Sequence, residues 1–271
     1  MTRACYLDLD GTLLGRGASL LRDGEGHVSL LGARAIEACL RADIEIVLMS
    51  GRRRAQVAEA ARLFGQSAFI YEAGCVLSLD GEDQWLTGPL VPGEQSIHEQ
   101  IEASGAPALL LETYAGRLEY HEPWSSGREI SHLFRGLLDV EEADALLQKN
   151  GHEDLRLVDN GAVHRTPAAL VDLAQLRAYH LIPAGASKAA AVAAHMRIRG
   201  LQRADAFAIG DSREDLAVAE HVDTFWLVAN ALERDPSLRA ALTSWRNVRV
   251  AEAGHGGGVY EAVITTLAEY R

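Results

Sequence analysis

The chain has 271 residues, enough for one large domain or two modest ones, and its 48% hydrophobic and 24% charged residues match a globular protein with a sizeable core. Asp and Glu number 38 against 26 Lys and Arg, and the net charge of −12 argues against nucleic acid as a general partner. No apolar run approaches the ~20 residues needed to cross a bilayer, so no membrane association is expected.

In chain order, Ala4–Leu9 reads as a buried strand that ends in acidic residues and a turn at Gly11. Leu30, Ala33, Ile36 and Leu40 recur at helical spacing, Ile44–Met49 is a β-branched run closed by Ser50-Gly51, Arg53–Phe64 is helical, and Ala68–Tyr71 is a third strand. That alternation predicts a parallel sheet with crossover helices. The rhythm then changes. Val76–Leu79 and Gln84–Leu86 flank Asp80-Gly81 as a hairpin, and Leu109–Thr113 with Arg117–His121 suggest a second one. A helix at Val140–Lys149 and a strand at Leu155–Val158 follow. From Ser187 the first pattern resumes. Ser187–Arg199 and Arg213–His221 are helical, Ala206–Ile209 and Thr224–Val228 are strands, and Ser237–Thr243 is a helix. A strand at Val248–Val250, a Gly256-Gly257-Gly258 loop and a helix at Val259–Tyr270 complete the chain. The expected fold is α/β, a Rossmann-like parallel-sheet core over 1–80 and 184–271 interrupted by an α+β domain over 81–183.

The N-terminal segment has no apolar leader region. Cys5, Cys39 and Cys75 form no CxxC pair and read as core residues in a reducing cytoplasm. The histidines lack HxH and HxxxH spacing, which disfavours zinc.

Four strand-end segments carry chemistry. Asp8 and Asp10 leave the first strand two residues apart, a pair suited to holding a divalent cation or to acting as nucleophile and acid; a solvated Asp-Gly turn is the plainer alternative. Ser50 and Gly51 close the second strand, where a hydroxyl and neighbouring N–H groups suit a phosphate oxygen, or where Ser50 caps a helix. Lys188 opens a helix at its electropositive end, which a nearby anion would explain, although for a single lysine a surface position is the default. Asp211 and Asp215 follow Gly210, and Asp211 with Glu214 has the spacing of a capping box that leaves Asp215 unused. All four lie where open α/β sheets bind ligands, and together they describe a site for a metal and a phosphoryl group.

These ordered motifs, Asp8-x-Asp10-Gly11-Thr12, Ser50-Gly51-Arg52, the Lys188 helix and Gly210-Asp211-x-x-x-Asp215, resemble those of the haloacid dehalogenase superfamily of phosphatases. The insertion between the second and third matches the Cof-like, sugar-phosphatase branch with a large type-two cap. Related sequences often carry Asn where this chain has Glu214. The resemblance implies that Asp8 attacks phosphorus, that Asp10 protonates the leaving group and then activates water, and that Ser50, Gly51 and Lys188 hold the phosphoryl oxygens. It further implies Mg²⁺ at Asp8, Asp10 (through its backbone carbonyl) and Asp211, with Asp215 fixing the water shell or Lys188. Within the cap, Arg128-Glu129-Ile130-Ser131 resembles a segment of mannosyl-3-phosphoglycerate phosphatases, and Arg128 is a candidate contact for a carboxylate or paired hydroxyls, with a surface helix residue as the plain alternative. The expected partner is a small phosphorylated metabolite, a sugar or sugar-acid phosphate. A phosphosugar mutase and a catalytically silent phosphosugar-binding protein are the alternatives.

Overall fold

The computed structural model describes residues 2–163 and 168–269. Every residue of β1 (Ala4–Asp8) is buried, because the strand is covered on both faces. Cys5 and Leu7 pack in one apolar cluster and Ala4 and Tyr6 in another on the opposite side. After α1 (Leu31–Arg41), β2 (Glu45–Met49) pairs in parallel with β1, and after α2 (Arg54–Leu63), β3 (Ala68–Tyr71) adds in parallel to β2. β4 (Val76–Leu79) and β5 (Glu82–Trp85) form the expected hairpin, with Asp80 and Gly81 both at positive φ. That hairpin extends the first sheet antiparallel to β3, so the core runs to Trp85 and past the expected boundary at residue 80.

The inserted domain follows: α3 (Ile97–Ala103), α4 (Ala106–Thr113), β6 (Leu118–Tyr120), β7 (His132–Gly136), α5 (Val140–Lys149), β8 (Leu155–Ala162) and β9 (Arg177–Pro183). Its four strands form an antiparallel sheet in the order β6-β7-β9-β8. One expectation fails here: Leu109–Thr113 is the end of a helix, not a strand. Gly105 enters it at positive φ and Pro107 sits in its first turn, where a missing N–H costs nothing. A short apolar run such as Leu109–Leu111 has no period that separates strand from helix.

The core then resumes with α6 (Lys188–Arg199), β10 (Ala206–Gly210), α7 (Arg213–Leu216), β11 (Thr224–Leu227), α8 (Ala229–Arg234), α9 (Leu238–Leu242), β12 (Val248–Val250) and α10 (His255–Glu269). β10 pairs in parallel with β1, giving the sheet order β12-β11-β10-β1-β2-β3-β4-β5. The three glycines expected in a loop begin α10. They serve a close helix crossing, since a Cβ on Gly256 would lie 3.0 Å from Gly32 Cα. The same crossing decides the buried face of α1, which is Gly32, Ala35, Ile36 and Cys39, while Leu30 and Leu40 stay exposed. Among the described residues no helix is long and apolar enough to cross a membrane.

Candidate active site

β1, β2, β3 and β10 end along one edge of the sheet, and each delivers a polar side chain there: Asp8, Ser50, Glu72 and Asp211. The register sets Asp8 beside Met49, so Ser50 is the next residue on the neighbouring strand. Lys188, the first residue of α6, is 2% exposed. Its Nζ donates to Asp8 Oδ1 at 2.7 Å and to Asp215 Oδ1 at 2.6 Å, leaving a third proton. Burial alone would lower the Lys188 ammonium, but Asp215 and Asp8 hold it well above its ordinary value.

Asp215 has both oxygens engaged by the protein. Oδ2 accepts from Ser212 Oγ at 2.6 Å and Ser212 N at 3.0 Å, which makes Ser212–Asp215 the capping box of α7. The box expected from Asp211 and Glu214 is therefore displaced by one residue, and Asp215 is part of the cap after all. Its structural task is to hold Lys188 against the helix start.

Asp8 differs. Its Oδ2 is buried and has no hydrogen-bond partner among the described residues. Burial pushes the Asp8 carboxyl up, and the charges of Asp215 and Asp211 push the same way against the pull of Lys188. Asp211 is likewise pushed up to about 7, by burial first and by Asp215 second. Asp8, Asp211 and Asp215 offer oxygens within 4.8 Å of one another. An orphaned carboxylate oxygen and a surplus of buried negative charge fit a hard divalent cation bound by oxygen. Arg234 Nη1 pairs with Asp211 Oδ2 at 2.9 Å and offsets part of that charge. Gly11 makes the approach possible, since a Cβ there would collide with Asp211 Oδ2 and Arg234 Nη1. Asn230, on α8, fixes this turn by donating to Gly11 O at 2.8 Å and accepting from His255 N at 2.8 Å.

Asp10 sits apart from the carboxylate cluster. Its side chain is 48% exposed and takes a two-pronged bond from Arg52, Nε to Oδ2 and Nη2 to Oδ1, both at 2.6 Å. Ser50 is 1% exposed and does not cap α2, which begins four residues later behind Arg53. Its Oγ accepts from Arg52 N at 3.2 Å, and its hydroxyl proton remains available.

Above this edge the inserted domain closes a cleft of about 1040 Å³, lined on the core side by Asp10, Arg52 and Asp211 and on the cap side by His121, Trp124, Asn160 and His180. Arg128 reaches the cleft but is held by protein acceptors: Nε by Trp124 O at 3.1 Å, and Nη1 by Gly51 O and Ser131 Oγ at 3.0 Å each. The expected ligand contact thus stands in a seam between domains. Glu72 completes that seam. Fully buried, it accepts from Glu129 N at 2.9 Å, Ser131 N at 2.6 Å and Ser131 Oγ at 2.7 Å. Glu72 could have been found in the sequence, because it follows a strand as Asp8 and Ser50 do. Glu214, the departure from the resembled motif, accepts from Lys188 N at 3.1 Å and from Arg156 Nη2 of β8 at 3.2 Å, tying the cap to the start of α6.

No family model matches the chain. Two relatives do. A phosphoglycolate phosphatase of Methanoculleus marisnigri is 26% identical over 97% of this chain and 96% of its own length. Another of that name, from Archaeoglobus fulgidus, is 28% identical over 86% of each. Among solved structures, a phosphatase of the haloalkanoate (HAD) enzyme superfamily from Bacteroides thetaiotaomicron superposes with a TM-score of 0.62 at 16% identity, covering 98% of this chain and 95% of that one.

Proposed function

We propose that the chain is a phosphatase of the haloacid dehalogenase type, a reading supported by its similarity to two phosphoglycolate phosphatases and by its fold, and that it hydrolyses a small sugar or sugar-acid phosphate by way of a phosphorylated Asp8. The observation that supports this most is the buried triad in which Lys188 bridges Asp8 and Asp215 while Asp8 Oδ2 faces the site with no partner. A carboxylate held in one orientation by a lysine, with its other oxygen uncommitted just beneath the cleft floor formed by Asp10, Gly51 and Asp211, is arranged to attack.

In the first step Asp8 attacks phosphorus, the bond to the ester oxygen breaks, and Asp10 gives its proton to the leaving alkoxide. In the second, Asp10 takes a proton from water, the water oxygen attacks phosphorus, and the Asp8–phosphorus bond breaks to release inorganic phosphate. Arg52 orients the Asp10 carboxylate through its two-pronged bond for taking the proton from water, and one prong must open when Asp10 carries the proton, because the protonated oxygen turns donor. The free proton of Lys188, the Ser50 hydroxyl and the Gly51 backbone receive the phosphoryl oxygens. Mg²⁺ held by Asp8, Asp211 and the Asp10 carbonyl would add positive charge where three carboxylates outnumber Lys188 and Arg234. Asp215 acts through Lys188. The cap excludes water and contacts the end of the substrate away from phosphorus.

Phosphate release from a panel of sugar, polyol and acid phosphates, phosphoglycolate included, with and without excess chelator, tests this reading. Turnover that persists in chelator, or no release from any phosphomonoester, would contradict it.

A further inference from the structure

His180 lies on β9 of the cap, 1% exposed, facing the loop that carries Ser50 and Gly51. Its two ring nitrogens have different surroundings. Nδ1 is 3.2 Å from Ser131 Oγ. That hydroxyl has one proton and donates it to the Glu72 carboxylate at 2.7 Å, while also accepting from Arg128 Nη1 at 3.0 Å. With its proton committed, Ser131 Oγ can only accept from His180, so Nδ1 carries the ring proton. Nε2 is then a lone pair. It has no hydrogen-bond partner among the described residues, and it lies over Gly51, where a Cβ would come within 2.7 Å of it. The Asn160 amide lies alongside, 3.0 Å from the same point. Burial first, then Arg128 and Lys188, push the imidazole well below its ordinary value, so it stays neutral at physiological pH.

The cap therefore presents a bare acceptor over the loop expected to hold the phosphoryl group, with an amide beside it that supplies a donor. A neutral acceptor attracts a hydroxyl and repels a carboxylate, whose oxygens are acceptors too. The cations nearest this point already have acceptors: Arg128 is held in the seam at Nε and Nη1, Arg177 is paired with Asp159 and Asp235, Arg52 with Asp10 and Arg234 with Asp211. We propose that His180 is a specificity residue that accepts a hydrogen bond at Nε2 from a substrate hydroxyl on the carbon next to the phosphoester. This rests on the phosphatase reading of the cleft and narrows it to hydroxylated phosphate esters.

The test compares kcat/KM for three two-carbon esters: 2-hydroxyethyl phosphate, ethyl phosphate and phosphoglycolate. The intact enzyme should prefer the hydroxyl ester over both others by about 10-fold or more, the usual penalty when a site's polar group is left unpaired. In His180→Leu the hydroxyl-to-ethyl ratio should fall to near one, whatever happens to the absolute rates, and His180→Gln, which keeps an acceptor, should restore part of it. Nitrogen NMR of the intact protein should find the His180 ring proton on Nδ1, a reading that does not depend on either variant folding. A hydroxyl-to-ethyl ratio near one in the intact enzyme, a ratio unmoved in His180→Leu, or the proton on Nε2 would overturn the assignment. p-Nitrophenyl phosphate separates the two claims. Its hydrolysis without hydroxyl selectivity defeats the His180 inference alone, whereas no hydrolysis of any ester defeats the phosphatase reading.

Discussion

The two walls of the cleft are built on opposite principles. The core wall concentrates charge: Asp8, Asp211, Asp215 and Lys188 meet at the end of a parallel sheet, buried and only partly compensated. The cap wall uses its arginines as fasteners. Arg128 holds Gly51, Arg156 holds Ala186 and Glu214, and Arg177 holds Asp159 and Asp235. What the cap turns toward a ligand is largely uncharged, with His180, Asn160 and Trp124 prominent. Phosphoryl transfer needs fixed charge, and recognition of a small polar molecule needs hydrogen bonds of the right sense, so the division follows the chemistry each wall must do.

The sharpest way to break the comparison is to neutralise the core wall. Asp8→Asn should lower kcat by about 10⁴-fold or more while circular dichroism stays unchanged, because it removes the nucleophile and keeps the shape. Turnover within tenfold of the intact enzyme would mean that the core charge is structural only. Asp211→Asn should raise the Mg²⁺ concentration needed for half-maximal activity about a hundredfold, since it deletes a carboxylate from the cation site. An unchanged Mg²⁺ titration would remove Asp211 from that site.

The seam comes next. Arg128→Met leaves Gly51 O and Ser131 Oγ without their donor and should cost about 2–3 kcal/mol in urea unfolding. With Gly51 in the proposed phosphoryl-binding loop, kcat/KM should fall as well, and a loss of stability with kinetics intact would make the seam independent of the site.

A subtler contrast lies in pH. Asp211 titrates near 7 in the fold against an ordinary 3.8, so between those values the folded chain holds a proton that the unfolded chain releases. Its contribution therefore destabilises the metal-free protein above pH 7, and that penalty is relieved as pH falls. Mg²⁺ should raise the Tm by about 5 °C at pH 8 and by much less at pH 5.5, where a proton already occupies the carboxylate. Equal shifts at both values would show that the cation does not meet this charge. The smallest effect belongs to the cap's exposed edge. Arg53 donates to Ser126 O at 2.7 Å in solvent, and Arg53→Ala should change stability by no more than about 0.5 kcal/mol.

How much of this was legible in the sequence follows the same division. Asp8, Ser50, Lys188 and Asp211 could be picked out because each follows a short apolar strand or opens a helix, and a parallel sheet brings all such positions to one edge. Partners were not legible. That Arg52 would take Asp10, that Arg234 would reach Asp211, or that Asn230 would fasten Gly11 depends on contacts between residues 23 to 219 positions apart. The cap was harder still. β7 and β9 pair across an intervening helix and strand with no turn to announce the ladder, so neither was read from its own residues. Arg128 stands out in the sequence by its type alone, and its bonds to Trp124 O, Gly51 O and Ser131 Oγ are set by the fold rather than by any local pattern. His180 carries no local signal at all, and its meaning arises only from the proton on Ser131.

The central claim is that Asp8 becomes phosphorylated during turnover. Acid-quenching the enzyme while it hydrolyses a preferred ester, reducing with borohydride and sequencing the peptides by mass spectrometry would test it directly. An aspartyl-phosphate is reduced to homoserine, so the account predicts homoserine at position 8, enriched in Asp10→Asn, where water is no longer activated to clear the intermediate. Continued phosphate release with position 8 unmodified, or homoserine at Asp211 or Asp215 in its place, would contradict it.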